Sequence, residues 1–249
     1  MISIDRHDQV AVVRLDRSVI NALDLELARE LAETMRRLQD DAGVRSVVLT
    51  SANEKFFSIG FDIPQLIELD REGFALFYRT FNRACIVLYT LPKPTIAAIT
   101  GHAIAGGCIL TLCCDYRFIA DGRKLMGVNE IKLGVPVPYP ADCVLRHLVG
   151  WRNARDIIDG GELYEPARSL GMGLVDQVLP LDQVLPAAIR KAAELGSLPQ
   201  ATFATIKRNR VEMVEEQVLA RLEEKERLFM DQWFSDEARE RLREAMEKF

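Results

Sequence analysis

The stretch Ile99 to Tyr116, ITGHAIAGGCILTLCCDY, determines how this chain is interpreted, because two adjacent glycines join an apolar strand to an apolar helix. The segment before them, PTIAAIT, has the pattern of a buried strand, and CILTLCCDY has that of a helix without reactive side chains. If Gly106 and Gly107 begin the helix, their unpaired backbone N–H groups can face an oxygen that gains negative charge. Close helix packing also favours glycine, so the pair alone leaves both interpretations open.

Strand and helix patterns alternate on both sides of this stretch. Ile2 to Asp5 and Val10 to Leu15 alternate as a hairpin, a helix and the strand SVVLTS follow, and a long helix is predicted from about Pro64 to Tyr89. After the glycines, YRFIAD and GLVDQVL are strands, PADCVLRHLVG and RNARDIIDGG are short helices, and residues beyond about Leu181 are helical. This order predicts an α/β fold with parallel strands and a ligand site at their carboxyl ends.

Composition limits the class of protein. The chain has 249 residues, 49% of them hydrophobic, and a formal net charge of -5, which argues against a nucleic-acid surface because phosphate binding needs an excess of clustered Lys and Arg. The longest apolar run, Ala103 to Cys114, is well short of the roughly 20 residues that span a bilayer. The N-terminal segment has no signal-peptide pattern. We therefore expect a cytoplasmic protein with no membrane or nucleic-acid partner.

Five cysteines and three histidines are the candidate metal or redox residues. The cysteines have no C-x-x-C spacing and lie in apolar segments, which favours reduced thiols in the core over disulfides, a nucleophile or a zinc site. No metal site is therefore expected. The cysteines are Cys85, Cys108, Cys113, Cys114 and Cys143.

Two further segments carry candidate chemistry. In FFSIGFDIPQL, Gly60 lies between a strand and a helix that Asp62 can cap, so this turn can supply a second backbone donor. Two N–H donors from separate turns are what a carbonyl oxygen needs as it becomes an enolate. Glu130 in MGVNEIKLG is flanked by apolar residues, and burial there would raise its pKa, although most glutamates are solvated surface groups.

Together these segments resemble the crotonase, or enoyl-CoA hydratase/isomerase, superfamily over nearly the whole chain. FFSIGFDI is similar to the family's first oxyanion segment and GHAIAGGCILTLCCDYRFIAD to the second, which implies backbone donors at Phe61 and Gly106. RSVINAL and GGELYEPARSLGMGLVDQVL match further family landmarks, the first of which lines the coenzyme A site. The implied fold is a spiral of repeated ββα units, and the implied substrate is an acyl-CoA, with coenzyme A as part of the substrate and no separate cofactor. The implied substrate-binding residues are Val19, Ile20, Ser58, Ile59, Gly60, Ile63, Gly107 and Ile109.

The family shares the oxyanion donors and varies its acids and bases, so membership does not by itself imply one reaction. Family hydratases use two glutamates, of which the first corresponds to Ile109 and the second to Glu130. VNEIKLGVPVP and AGGCILTLCCDYR are most similar to the family's delta3,delta2-enoyl-CoA isomerases, which keep only the second. We therefore expect an isomerase with Glu130 as both base and acid. The alternatives are hydration, hydrolysis or decarboxylation of an acyl-CoA, and a non-catalytic coenzyme A-binding scaffold.

The C-terminal residues are expected to mediate assembly. Phe229, Trp233 and Phe234 lie among charged residues in an amphipathic helical series, and such a face must be buried on the same chain or on a partner subunit. The resemblance implies a helical trimerisation region at 191–249, after a spiral core at 1–190. It also implies a homotrimer or a dimer of trimers.

Overall fold

The computed structural model describes residues 1–246, and most of its elements follow a repeated order of strand, strand and helix. The strands are β1 (Ile2–His7), β2 (Val10–Leu15), β3 (Ser46–Ser51), β4 (Phe56–Ser58), β5 (Thr95–Ile99), β6 (His102–Ile104), β7 (Tyr116–Ala120), β8 (Met126–Gly127) and β9 (Gln177–Leu179). The helices are α1 (Leu25–Asp40), α2 (Ile63–Leu66), α3 (Arg71–Thr90), α4 (Gly106–Leu112), α5 (Tyr139–Gly160), α6 (Pro166–Met172), α7 (Leu181–Gly196), α8 (Gln200–Trp233) and α9 (Asp236–Met246), with a 3-10 turn at Glu130–Leu133.

The strands form two sheets. β1, β2, β3, β5, β7 and β9 form a six-stranded sheet in that order, which is antiparallel between β1 and β2 and parallel elsewhere. The short strands β4, β6 and β8 form a parallel three-stranded sheet, which we call the small sheet. The predicted α/β class with parallel strands is confirmed. The small sheet was not predicted, because the sequence pattern did not indicate separate strands at β4, β6 and β8.

The large sheet is buried on both faces. α7 covers one face, where Val184 and Ala188 pack with Val12 of β2 and Ile96 of β5. The other face belongs to the main core, to which α1 and α3 contribute. Burial on both sides explains why β3 and β5 are apolar without a clear alternation. The cysteines are free and buried, as their apolar surroundings predict.

The single helix expected from about Pro64 to Tyr89 is wrong. The chain forms the short α2 and then α3, because Asp70 begins a new helix by accepting the Gly73 N–H at 2.8 Å. Asp62 caps α2 as expected. The two short helices predicted between residues 140 and 161 correspond to the two parts of α5, which Gly150 interrupts with a φ of 75° and a ψ of 161°.

The aromatic residues of α8 are buried within the chain itself. Phe229 and Trp233 are 2% and 1% exposed, and the Trp233 ring stacks on Phe74 of α3 with centroids 4.2 Å apart. They therefore do not form the exposed face on which the expectation of assembly rested. Exposed apolar side chains do remain on α8, at Ile206 and Met213. The homotrimer or dimer of trimers stays a prediction.

The predicted division into 1–190 and 191–249 also stays a prediction. Its boundary lies within α7, and residues 247–249 lie outside the described residues. A buried ion pair joins α8 to the large sheet: Lys207 Nζ lies 2.8 Å from Asp115 Oδ2, and the Asp115 carboxylate also accepts the Thr95 N–H at 2.9 Å. Breaking a buried pair by removing one partner typically costs about 3–5 kcal/mol, so α8 is firmly attached at this point.

Two kinds of feature are absent from the described part of the chain. No helix within it is long and apolar enough to cross a bilayer. Nor do residues 1–246 contain a group of three or more His, Cys, Asp or Glu side chains that could hold a metal ion.

α4 approaches β4 closely because Gly107 has no side chain. A Cβ at Gly107 would lie 2.3 Å from the Ser58 carbonyl oxygen, a distance that real Cβ atoms essentially never show. Close packing, the alternative reason for the adjacent glycines, therefore applies to Gly107. The contact fixes the beginning of α4 against the end of β4.

We expect Gly107→Ala to destabilise the protein by about 1–3 kcal/mol. The added Cβ would clash with the Ser58 carbonyl oxygen, which belongs to the backbone and has little freedom to move. Gly171→Ala is the matched control: its Cβ would meet nothing within 4 Å, and its position in α6 favours alanine. Chemical denaturation of both variants measures the difference. An unchanged unfolding free energy for Gly107→Ala would show that this contact is not constrained.

Candidate active site

The small sheet brings three distant segments together. Because β4, β6 and β8 are parallel, their carboxyl ends meet at one edge of the sheet. From these ends the chain continues to Phe61, Gly106 and Glu130 respectively. The sheet therefore brings into one site the three residues that the resemblance assigns to catalysis.

The turn after β4 presents the Phe61 N–H group. Gly60 has a φ of 92°, in the region that favours glycine, and its N–H donates to Ser58 Oγ at 3.1 Å. Ser58 Oγ in turn donates to the Asn21 carbonyl at 2.8 Å. Within residues 1–246 the Phe61 N–H has no acceptor, so it is free to donate to a ligand.

The turn before α4 presents the Gly106 N–H group. Ala105, the N-cap, has a φ of 48° and a ψ of -121°, a strained conformation for a residue with a Cβ, which turns the chain sharply from β6 into α4. The Gly106 N–H also has no acceptor among the described residues. A Cβ at Gly60 would lie 2.9 Å from the Gly106 nitrogen, so the two turns are adjacent. Two free donors from adjacent turns form the kind of pair that stabilises an oxyanion.

The Phe61 side chain packs against the aromatic residues of α3. Its ring packs edge-on against Phe77 and Phe81, with centroids 4.8 Å and 4.9 Å apart. The ring therefore belongs to the aromatic core under α3, while the backbone of the same residue supplies the donor. A bulky residue at this position is compatible with an oxyanion site for that reason.

A second loop lies beside the first turn. The Ile59 N–H donates to the Ile20 carbonyl at 3.1 Å, which fixes the segment after β2 against the segment after β4. Asn21 supports the loop from within: it has a φ of 45°, which Asn tolerates, and its buried side chain makes several hydrogen bonds. Val19 lies on the outer side of the loop and is 59% exposed.

A cavity of about 290 Å3 lies between the two donors and the C-terminal helices. Most of its wall is apolar, and the charged side chains other than Glu130 are exposed ones. The lining residues are Ile59, Phe61, Ile63, Ile104, Ala105, Gly106, Asn129, Glu130, Lys132, Leu133, Val135, Phe229, Trp233, Arg241, Glu244 and Ala245.

Glu130 is the buried carboxylate of this cavity and is 6% exposed. Burial raises the pKa of Glu130 from its ordinary value of 4.5 to about 7, and the backbone N–H groups of Glu130 and Asn129 oppose this rise. Glu130 Oε2 has no hydrogen-bond partner among the described residues. A carboxyl group with this pKa can both accept and release a proton near neutral pH.

The predicted site residues fall into two groups. Phe61, Gly106, Glu130, Ile59 and Ile63 line the cavity. The other predicted residues do not line it. Ser58 and Gly60 shape the first turn, and Gly107 makes the close contact with β4. Val19 and Ile20 lie on the adjoining loop, and Ile109 is fully buried in α4. Ile109 has no exposed surface in this structure, and its role in substrate binding stays a prediction.

The sequence interpretation missed the contribution of α9 and Lys132. Arg241 and Glu244 of α9 reach the cavity wall, and Glu244 is a second, exposed carboxylate there. α9 lies over the site because Gly134, at a φ of 74°, allows close approach of Ala238. Nothing in the charged helical pattern of α9 indicates a role in a site whose other residues lie far away in the chain.

Comparison with known proteins extends over most of the chain. The model of the enoyl-CoA hydratase/isomerase family matches residues 5–249. Mitochondrial enoyl-CoA delta isomerase 1 of Mus musculus is 36% identical over 176 residues, which are 70% of this chain and 61% of that protein. The Homo sapiens protein of the same name is 34% identical over 191 residues, 76% of this chain and 63% of its own. The matched region thus spans less than two thirds of these relatives' length. The crotonyl-CoA hydratase of Syntrophomonas wolfei is 28% identical over 204 residues, 80% of this chain and 76% of that protein.

Solved structures show the same fold. Human mitochondrial delta3-delta2-enoyl-CoA isomerase matches with a TM-score of 0.96 and 28% identity, covering 99% of this chain and 97% of that one. An enoyl-CoA hydratase from Bacillus anthracis matches with a TM-score of 0.80 and 26% identity, covering 88% and 91%. These likenesses confirm the expected crotonase spiral with C-terminal helices. With the family model matched from residue 5 onward, the chain belongs to the enoyl-CoA hydratase/isomerase, or crotonase, family.

Proposed function

We propose that this protein is a delta3,delta2-enoyl-CoA isomerase, which moves the double bond of an acyl-CoA from C3 to C2. The observation that carries the proposal is a single buried carboxylate, Glu130, in a cavity that also contains the free N–H groups of Phe61 and Gly106. The names of the mouse and human relatives and of the human crystal structure support it.

In the proposed reaction, the thioester oxygen of a 3-enoyl-CoA accepts hydrogen bonds from the Phe61 and Gly106 N–H groups. Glu130 removes a proton from C2, and the electrons of that C–H bond pass into a dienolate whose negative charge lies on the thioester oxygen. Glu130 then returns the proton at C4, which leaves the double bond between C2 and C3. No other reactant is consumed, because the same proton leaves and re-enters the substrate.

The electrostatics of Glu130 suit this double role. A pKa of about 7 means that the carboxylate is partly ionised at neutral pH and also holds a proton well enough to return it. The unpaired Oε2 atom leaves a lone pair available for the C–H proton. A solvated glutamate near its ordinary pKa of 4.5 would be a weaker base.

Coenzyme A is placed along the loop that contains Val19 and Ile20 in this proposal. That loop adjoins the Ile59 turn through the Ile59-to-Ile20 hydrogen bond, so it lies next to the segment that supplies the Phe61 donor. A thioester held by the oxyanion donors would direct its coenzyme A portion toward the exposed surface near Val19. No cofactor other than this part of the substrate is required.

Hydration of a 2-enoyl-CoA is the second candidate, favoured by one observation. Glu244 places a second carboxylate on the cavity wall, and hydratases of this family use two glutamates. However, the position of the family's first glutamate is the fully buried Ile109, and Glu244 is exposed on α9. Glu244 is therefore surrounded by solvent, whereas Glu130 is buried in the cavity wall.

We expect Glu130→Gln to lower the conversion of 3-hexenoyl-CoA to 2-hexenoyl-CoA by at least roughly 100-fold, because an amide cannot accept the C2 proton. Glu244→Gln is the matched control and should change this rate only slightly. Absorbance of the conjugated 2-enoyl thioester measures both. A large loss in Glu244→Gln together with water addition by the wild type would favour the hydratase, and full activity of Glu130→Gln would exclude Glu130 as the base.

The pH dependence of the wild-type reaction should report the same group. We expect kcat/KM to rise with pH through about 7 and to level off above it, because the base must be ionised in the free enzyme. The residual activity of Glu130→Gln should lack this rise. A wild-type profile that is flat between about pH 5.5 and 8 would contradict the assignment.

Stability provides a check that needs no substrate. The raised pKa of Glu130 means that its stabilising contribution is complete below pH 4.5 and is lost as the pH rises through 7. We therefore expect Glu130→Gln to be more stable than the wild type at pH 8, by up to about 3 kcal/mol, and this advantage to shrink toward pH 4.5. Denaturant titrations at both pH values measure it, and an advantage that does not depend on pH would contradict the assigned pKa.

A further inference from the structure

The catalytic cavity has a neighbour on the other side of Phe229. A second cavity of about 400 Å3 lies between α3, the segment before α5, and α8. Its wall contains the apolar and aromatic residues Tyr78, Pro136, Val137, Tyr139 and Leu228 together with the polar and charged residues Asp142, Arg146, Gln217, Arg221 and Lys225. Phe229 belongs to the walls of both cavities. The two cavities are thus separated in part by one side chain.

Phe229 is held in place by aromatic stacking. It is 2% exposed, and its ring stacks on Tyr78 with centroids 4.1 Å apart and planes inclined by 18°. Its ring centroid also lies 6.4 Å from that of Trp233, a further wall residue of the catalytic cavity, with planes inclined by 19°. The same partition includes the segment after the 3-10 turn, where Val135 faces the catalytic cavity and the following residue, Pro136, faces the second.

Phe229 lies in the wall that an extended acyl chain would approach. In the proposed complex, the thioester lies at the Phe61 and Gly106 donors and the reacting carbons C2 to C4 lie beside Glu130. A longer acyl chain then continues toward the part of the wall that α8 forms, which contains Phe229 and Trp233.

We infer that Phe229 is the residue that limits the length of the acyl chain, and that the second cavity becomes available to longer chains when this side chain is reduced. The inference rests on the proposed acyl-CoA function. Next to Phe229 the second cavity offers the distal methylenes of such a chain apolar contacts with Tyr78, Val137 and Tyr139, within a wall that also contains charged residues. Each methylene buried there raises the affinity for the longer chain.

The test measures binding, so that it does not depend on catalysis. Octanoyl-CoA and tetradecanoyl-CoA, both saturated and both below their micelle concentrations, are titrated calorimetrically into the wild type, Phe229→Ala and Phe229→Leu. Phe74→Leu is the matched control, because Phe74 belongs to the same aromatic cluster but lines neither cavity. Thermal unfolding identifies variants that have lost the fold, and Phe229→Leu replaces Phe229→Ala if the smaller side chain is not tolerated.

We expect the wild type to bind tetradecanoyl-CoA no more tightly than octanoyl-CoA, and the Phe229 variants to gain at least about tenfold for the longer chain only. The inference is overturned if the wild type already prefers tetradecanoyl-CoA, if the Phe229 variants show no gain, or if Phe74→Leu shows the same gain. If neither thioester binds to any of the proteins, the proposed acyl-CoA function itself is overturned.

Discussion

The close approach of α4 to β4 is the constraint on which the site depends. With no side chain at Gly107, the helix begins against the Ser58 carbonyl, and the adjacent amide of Gly106 then lies beside the Gly60 turn. The parallel pairing of β4, β6 and β8 adds Glu130 at the same edge. A pair of main-chain donors and a carboxylate are thus positioned by a sheet of very short strands, and the large sheet and its helices provide the rigid support for it.

Burial has two different effects around this edge. It stabilises the aromatic cluster that joins α3 to α8, where Phe74 stacks on Trp233. At Glu130 burial disfavours the ionised carboxylate, so it lowers the stability of the folded protein at high pH. Groups with pKa values shifted in this way are concentrated at functional sites. α9 contributes to the enclosure that makes this possible, since its residues form part of the cavity wall. The enclosure of Glu130 therefore depends on helices that are remote from it in sequence.

The sequence predicted the α/β class, the long strands and most helices, because these segments are long enough for an apolar period to be recognised. β4, β6 and β8 were missed because two or three residues cannot establish a period. The glycine motifs indicated backbone donors at the two turns, and the resemblance implied that these donors are Phe61 and Gly106; both N–H groups lack an acceptor within residues 1–246. The sequence left open whether Phe229 packs on its own chain or on a partner subunit, because an amphipathic pattern shows that a helix face is buried but not against what. In the structure Phe229 is buried within its own chain. The position of Glu244 on the cavity wall could not be predicted, because it results from the tertiary packing of α9 and leaves no local pattern in the sequence.

The divided role of Phe61 has an evolutionary consequence. Its ring packs in the aromatic core and its N–H is left without an acceptor, so packing limits which side chains fit here while almost every substitution keeps the N–H group. Only proline, which has no amide hydrogen, would delete the donor directly. A family with such a site can diversify its pockets and its acids and bases while the electrophilic half of its chemistry is inherited unchanged. Sequence divergence at the donor position is therefore a poor guide to divergence in mechanism.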